Sequence, residues 1–155
     1  MKDNFDKALT LMLAHEGGYV NNPHDPGGMT NLGVTRKAWE AYTHHDATEA
    51  DMRALTPAKV APFYRDKYWN AVRADELPSG VDYAVFDYAV NSGPIRAIRS
   101  LQHSLAIPTD GLIGPRTLKA AGMSAPYPWQ QGLWSSLLRL HAAGRLPHAL
   151  LLAAA

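Results

Sequence analysis

The chain has 155 residues, close to the length of one domain, and its 46% apolar and 19% charged residues exclude global disorder. It has no cysteine, which excludes a disulfide framework, a thiolate metal site and a cysteine nucleophile. Fifteen basic against fourteen acidic residues give +1, so the overall charge selects no polyanionic partner, although residues 1–50 carry 4 basic and 7 acidic groups (−3) and residues 51–155 carry 11 and 7 (+4).

Phe5, Leu9, Met12 and Leu13 recur at helical spacing and predict an opening helix, with Asp3 or Asn4 as its cap and Gly17-Gly18 as its stop. The opening Met1-Lys2-Asp3-Asn4 lacks the basic and then apolar stretch of a secretory signal. No apolar run approaches the roughly 18 residues of a membrane span. The expectation is a chain made in the cytoplasm without a recognisable signal peptide. Residues 19–35 are rich in Gly, Pro, Asn and Asp, which predicts turns with at most a small β-hairpin. Thr35 can cap a helix reaching about Tyr42, and Thr48-Glu49-Ala50-Asp51 reads as a boxed helix start. Thr56-Pro57 is a cap followed by proline at the first helical position, opening a helix that reaches about Trp69.

Ser79-Gly80-Val81-Asp82 opens a helix apolar on all sides, through Val81, Ala84, Val85, Phe86, Tyr88, Ala89 and Val90. Such a helix belongs at the centre of a core. Gly93-Pro94 ends it, Ile95–Leu105 is amphipathic, Asp110-Gly111 makes a turn, and Pro115 starts a short helix that stops at Gly122. Residues 126–143 predict a last helix through Trp129, Leu133, Leu137 and Leu140. The fold class is therefore mainly α, built of short helices with at most a small β-hairpin near residues 19–35. No repeat, linker or low-complexity tract interrupts the chain.

The stretch from His15 to Thr35 carries the chemistry. Glu16 sits where the first helix should end, its apolar face entering the core. Partial desolvation and the negative end of the helix dipole both favour the protonated acid. Asp25, nine residues on, lies among Gly and Pro, where solvent and backbone N–H groups keep a carboxylate ionised. Two carboxyl groups in unlike environments are the acid and base of a glycosidase. The plainer reading is a solvated helix end followed by an Asp-Pro-Gly-Gly turn. His15, Glu16, His24 and Asp25 do not have the spacing of a helical His-Glu-x-x-His zinc site, and no metal or other cofactor is expected. Tyr19 follows the turn directly and is the expected aromatic contact for a sugar. Asn91 and Ser92 end the central helix, where they serve equally as caps or as sugar hydrogen-bonders.

The run Glu16-Gly17-Gly18-Tyr19-Val20-Asn21-Asn22-Pro23-His24-Asp25-Pro26-Gly27-Gly28-Met29-Thr30-Asn31-Leu32-Gly33-Val34-Thr35 closely resembles the N-acetylmuramidases of glycoside hydrolase family 108, bacterial and phage lysozymes. Tyr68-Trp69-Asn70, Phe86-Asp87-Tyr88-Ala89-Val90-Asn91-Ser92-Gly93, Leu101-Gln102, Asp110-Gly111, Ile113-Gly114-Pro115 and Thr117-Leu118 resemble that family's predicted peptidoglycan-binding region. The resemblance covers roughly residues 3–122, and the chain departs from it after about Ala125. It implies one lysozyme-like domain: a catalytic lobe over 1–75, a peptidoglycan-binding lobe over 76–122 and an atypical segment over 123–155. It also implies hydrolysis of the β-1,4 bond between N-acetylmuramic acid and N-acetylglucosamine in peptidoglycan glycan strands. The enzyme would be monomeric, acting on the cell wall in the periplasm or outside the cell without nucleic acid or stable membrane insertion. Glu16 is the implied proton donor. The Glu-to-Asp spacing, with a Thr shortly after, is similar to that of the T-even phage lysozymes. That similarity makes Asp25 the base and Thr30 its helper, with Asn31 or Thr35 as rivals. Tyr19, Asn31, Thr35 and Asn91 are the implied substrate contacts. The same scaffold also accommodates a non-catalytic peptidoglycan-binding or secretion-helper protein, or a lytic transglycosylase needing only Glu16.

Overall fold

A computed structural model describes residues 4–14, 18–21 and 28–123. Helix α1 (Asn4–Leu13) buries Phe5, Ala8, Leu9 and Met12, the predicted stripe with Ala8 added and Leu13 at its margin. Of its two expected caps, Asp3 lies outside the described residues, and Asn4 is turned to another use. The Asn4 amide instead crosses to the start of another helix, donating to Asp82 at 2.7 Å and Ser79 at 3.1 Å. Asp82 is a buried carboxylate, and a donor reaching it offsets more desolvation than one spent on an exposed helix end.

Strands β1 (Thr30–Asn31) and β2 (Val34–Thr35) pair antiparallel, Thr30 opposite Thr35 and Asn31 opposite Val34. The two turn residues between them, Leu32 and Gly33, have φ of 50° and 73°. Positive φ at both central positions is the turn that follows the natural twist of paired strands. Val34 and Asn31 are buried and Leu32 packs against the core, so the hairpin rests on the interior through these three side chains.

Thr35 then caps α2 (Arg36–Thr43), its hydroxyl accepting from the Ala38 N–H. Thr48 and Asp51 form a reciprocal capping box on α3 (Glu49–Arg53). Thr56 caps α4 (Pro57–Tyr64), with Pro57 in the first turn. All three starts match the local chemistry of their sequences. Helix α4 continues into a π-helical turn over Arg65–Trp69, closed by the Asn70 N–H bonding the Arg65 carbonyl at 2.8 Å. The extra residue in that turn puts Trp69 wholly inside, with its indole N–H on Asp75 at 3.0 Å.

Helix α5 (Val81–Ser92) is the central helix. Val81, Asp82, Ala84, Val85, Phe86, Asp87 and Ala89 are all buried, and α1, α6 and the turns around Trp69 and Ala74 pack on it. Phe5, Trp69 and Phe86 meet edge to face at its middle, with centroids 5.3–6.0 Å apart, the favoured geometry for aromatic quadrupoles. Helix α6 (Pro94–Ser104) comes directly after it, and α7 (Pro115–Met123) runs through Gly122 rather than stopping there. One cluster of buried side chains extends from Phe5 to Ala121. The predicted helix over 126–143 lies outside the described residues.

Candidate active site

Glu16 and Asp25, the two carboxylates expected to do the chemistry, lie outside the described residues. The structure gives the frame on either side of them. Val20 and Thr30 form an isolated antiparallel bridge, each N–H bonding the other's carbonyl at 2.8 Å. The segment that holds Asp25 therefore leaves and returns at one point.

On the outgoing side, Tyr19 is half-buried against the core. The Arg53 guanidinium lies over its ring, 3.9 Å from the centroid. Arg53 is itself paired with Glu49, one turn back on α3, at 2.8 Å. The Tyr19 hydroxyl is shielded from solvent. Burial first, and the Glu49 carboxylate second, raise the hydroxyl's pKa above the usual tyrosine value. Glu49 moves the other way, held below the usual carboxylate range by Arg53 and then by Tyr19.

On the returning side, Thr30 is half-buried, and among the described residues its hydroxyl has one long contact, to the Gly28 carbonyl at 3.5 Å. Asn31 is buried, and its amide donates to the Met52 carbonyl at the end of α3, 2.8 Å away. The Leu32 carbonyl accepts from the Tyr64 hydroxyl at 2.8 Å. Gly28 has φ of 72°, a conformation that favours glycine. Thr35 is occupied as the cap of α2. Thus Tyr19, Thr30, Asn31 and Thr35 are gathered around one bridge and one short helix, and three of the four side chains are engaged with the protein itself.

Asn91 is in a different situation. It is exposed near the end of α5 and donates to the Asp87 carbonyl one turn earlier at 2.9 Å, a bond internal to its own helix. The neighbouring acid was not singled out from the sequence. Asp87 is only 3% exposed, and together with burial it pushes the Tyr83 hydroxyl up to about 12, burial being the larger cause. The signal available was an acid inside a helix apolar on all sides, where a charge is costly to bury.

Gln102, part of the sequence motif read as peptidoglycan-binding, is also buried. Its amide nitrogen lies 2.6 Å from Asp110, 2.9 Å from the Leu112 carbonyl and 3.2 Å from the Thr117 hydroxyl, and its oxygen accepts from the Gly111 N–H at 2.9 Å. These bonds tie the 105–114 connection to both flanking helices. Among the described residues no three His, Asp or Glu side chains gather as metal ligands, and no helix there is long and apolar enough to cross a membrane.

Comparison with known proteins places this frame. No curated protein matches the chain. The solved structure of Brucella abortus SagA is 41% identical, with a TM-score of 0.72, and the match covers 86% of this chain and 76% of that one. The mainly α, lysozyme-like fold is shared with it. The model of the family Glycosyl hydrolase 108 matches residues 9–93, more than half of the chain, including the Val20–Thr30 bridge, α3 and α5. On that match and that identity, the chain belongs to the glycosyl hydrolase 108 family.

Proposed function

We propose that the protein is an N-acetylmuramidase, cleaving the β-1,4 bond between N-acetylmuramic acid and N-acetylglucosamine in peptidoglycan. The observation that carries this is membership of a glycoside hydrolase family, on a chain whose residues 16–35 hold a Glu and an Asp separated by nine positions. Glu16 protonates the leaving oxygen. Asp25 orients and deprotonates water on the opposite face of the sugar, and the Thr30 hydroxyl at the base of the same segment helps hold that water. Tyr19, Asn31 and Thr35 were expected to touch the substrate. Their engagement with Arg53, Met52 and Ala38 favours a framework role for all three, and Asn91 stays a candidate sugar contact through its exposed side chain. The enzyme works as a monomer, on the wall in the periplasm or outside the cell.

The test is clearing of purified cell walls by the wild type and by Glu16→Gln. That substitution keeps the shape and removes the transferable proton, so activity should fall by roughly 10²–10⁴-fold, the usual worth of a general acid. The expected products end in reducing sugars formed with inversion, because a water between base and sugar attacks from the far side. Products ending in a 1,6-anhydro ring would identify a transglycosylase. Binding to walls without any cleavage would identify a non-catalytic binder.

A further inference from the structure

We propose that Arg53 is a positioning residue for this reaction: with Glu49 it clamps the Tyr19 ring and so fixes the chain three residues after Glu16. The inference rests on the muramidase reading for its kinetic consequence, and on described contacts alone for the clamp.

Helix α3 has only five residues, yet both sides of the Val20–Thr30 bridge converge on its last turn. Tyr19 lies under Arg53 at 3.9 Å, and Asn31 is bonded to the carbonyl of the preceding residue, Met52, at 2.8 Å. The Glu49–Arg53 pair is about half exposed on both partners. Such a pair adds little to helix stability, and the capping box at Thr48 and Asp51 already secures the helix start. What the pair does is hold the guanidinium plane against the ring. A planar, delocalised cation stacks on an aromatic face, and an ammonium does not reproduce that. The covered ring then cannot swing, and with it the Gly18–Val20 segment keeps its path into the bridge. Small displacements of reacting groups cost large factors in rate, so a surface pair remote from the bond being broken can set turnover.

The experiment uses the full chain and its Arg53→Ala, Arg53→Lys, Tyr19→Leu and Tyr19→Leu/Arg53→Ala variants. Two quantities are read: steady-state kinetics on soluble glycan fragments, and amide hydrogen exchange at Val20 and Thr30 against amides of α5. Arg53→Ala should speed exchange at Val20 and Thr30 about two- to fivefold, the scale of an exposed cation–π contact, and leave α5 unchanged. Its kcat should fall about fivefold with KM nearly constant, as a misplaced catalytic group requires. Arg53→Lys should resemble Arg53→Ala, and removing Arg53 should add nothing once Tyr19 is Leu. Unchanged exchange at the bridge, equal acceleration in α5, or a full effect of Arg53→Ala in the Tyr19→Leu background would overturn the clamp. If the wild type hydrolyses nothing, the muramidase reading fails, and exchange at the bridge alone decides whether the clamp exists.

Discussion

Leu32 and Gly33 both hold positive φ in the hairpin turn, but only a residue without a Cβ does so freely. Gly33→Ala should destabilise the protein by about 1–2 kcal/mol, the cost of the left-handed region for an L-residue. Gly28→Ala should cost a similar amount through φ alone, since the added Cβ would meet only the Arg36 Cβ at 3.9 Å, an ordinary contact. Gly18→Ala should be nearly neutral, because that position has open space and no left-handed backbone. Denaturant titration of the three variants checks this, and equal midpoints would refute it. At the same scale, Tyr83 titrates at about 12 in the folded protein, for reasons of burial and then Asp87, against about 10 in an unfolded chain. Its folded pKa is raised, so its contribution to stability is complete below about pH 10 and is lost as pH climbs towards 12. Tyr83→Phe should therefore flatten the fall in stability across that alkaline window, as read by melting temperature at stepped pH. The sequence announced the glycines, because their use is local. It did not announce Leu32, an aliphatic residue in a conformation that its own chemistry disfavours and that only the buried Val34 and the Tyr64 hydroxyl bond explain.

At the level of elements, helix starts were readable and helix partnerships were not. Thr35, Thr48 and Thr56 cap as their neighbours dictate, since a cap involves residues three apart. Asn4 departs from that rule because its partner, Asp82, is 78 residues away and becomes relevant only when α1 and α5 meet. The link between α3 and β1 is of the same kind. Asn31→Asp should destabilise more than Asn31→Ala. The alanine removes the Asn31 donor and leaves the Met52 carbonyl the longer bond from the Leu55 N–H at 3.4 Å, at a cost of about 0.5–1.5 kcal/mol. The aspartate also turns a negative oxygen towards that carbonyl in a buried place. Chemical denaturation at neutral pH orders the two. At low pH, where the carboxyl gains a proton to donate, the gap between them should narrow. A gap that does not depend on pH would mean the Asn31–Met52 bond is not what holds the hairpin to α3.

Across the whole molecule, one buried cluster reaches from α1 to α7, and the Gln102 amide secures its far end. Gln102→Ala would strand the Gly111 N–H inside the protein, while the Leu112 carbonyl would keep the Gly114 N–H at 3.0 Å and the Thr117 hydroxyl at 3.3 Å. One buried group without a partner costs about 1–3 kcal/mol, so the melting temperature should drop by several degrees while α1 and the hairpin stay intact at temperatures below it. The motif read from the sequence as binding is thus, at this residue, a folding device: the pattern Leu-Gln followed by Asp-Gly marks bonds inside the protein. Sequence alone could not separate the two, since a buried glutamine and a ligand-binding one are the same letter.

The π-helical turn at Arg65–Trp69 has a bearing on how this chain tolerates changes in length. One residue more than an α-helical turn holds is accommodated there, and each residue of helix rotates the chain beyond it by about 100°. A single-residue deletion within that turn would restore a regular helix and leave the chain beyond it in nearly its present direction, whereas the same deletion elsewhere in α4 would swing Trp69 away from Phe5 and Phe86, although no residue identity in the core had changed. Helix α4 is accordingly a place where the protein counts its residues. Its sequence can drift more easily than its length.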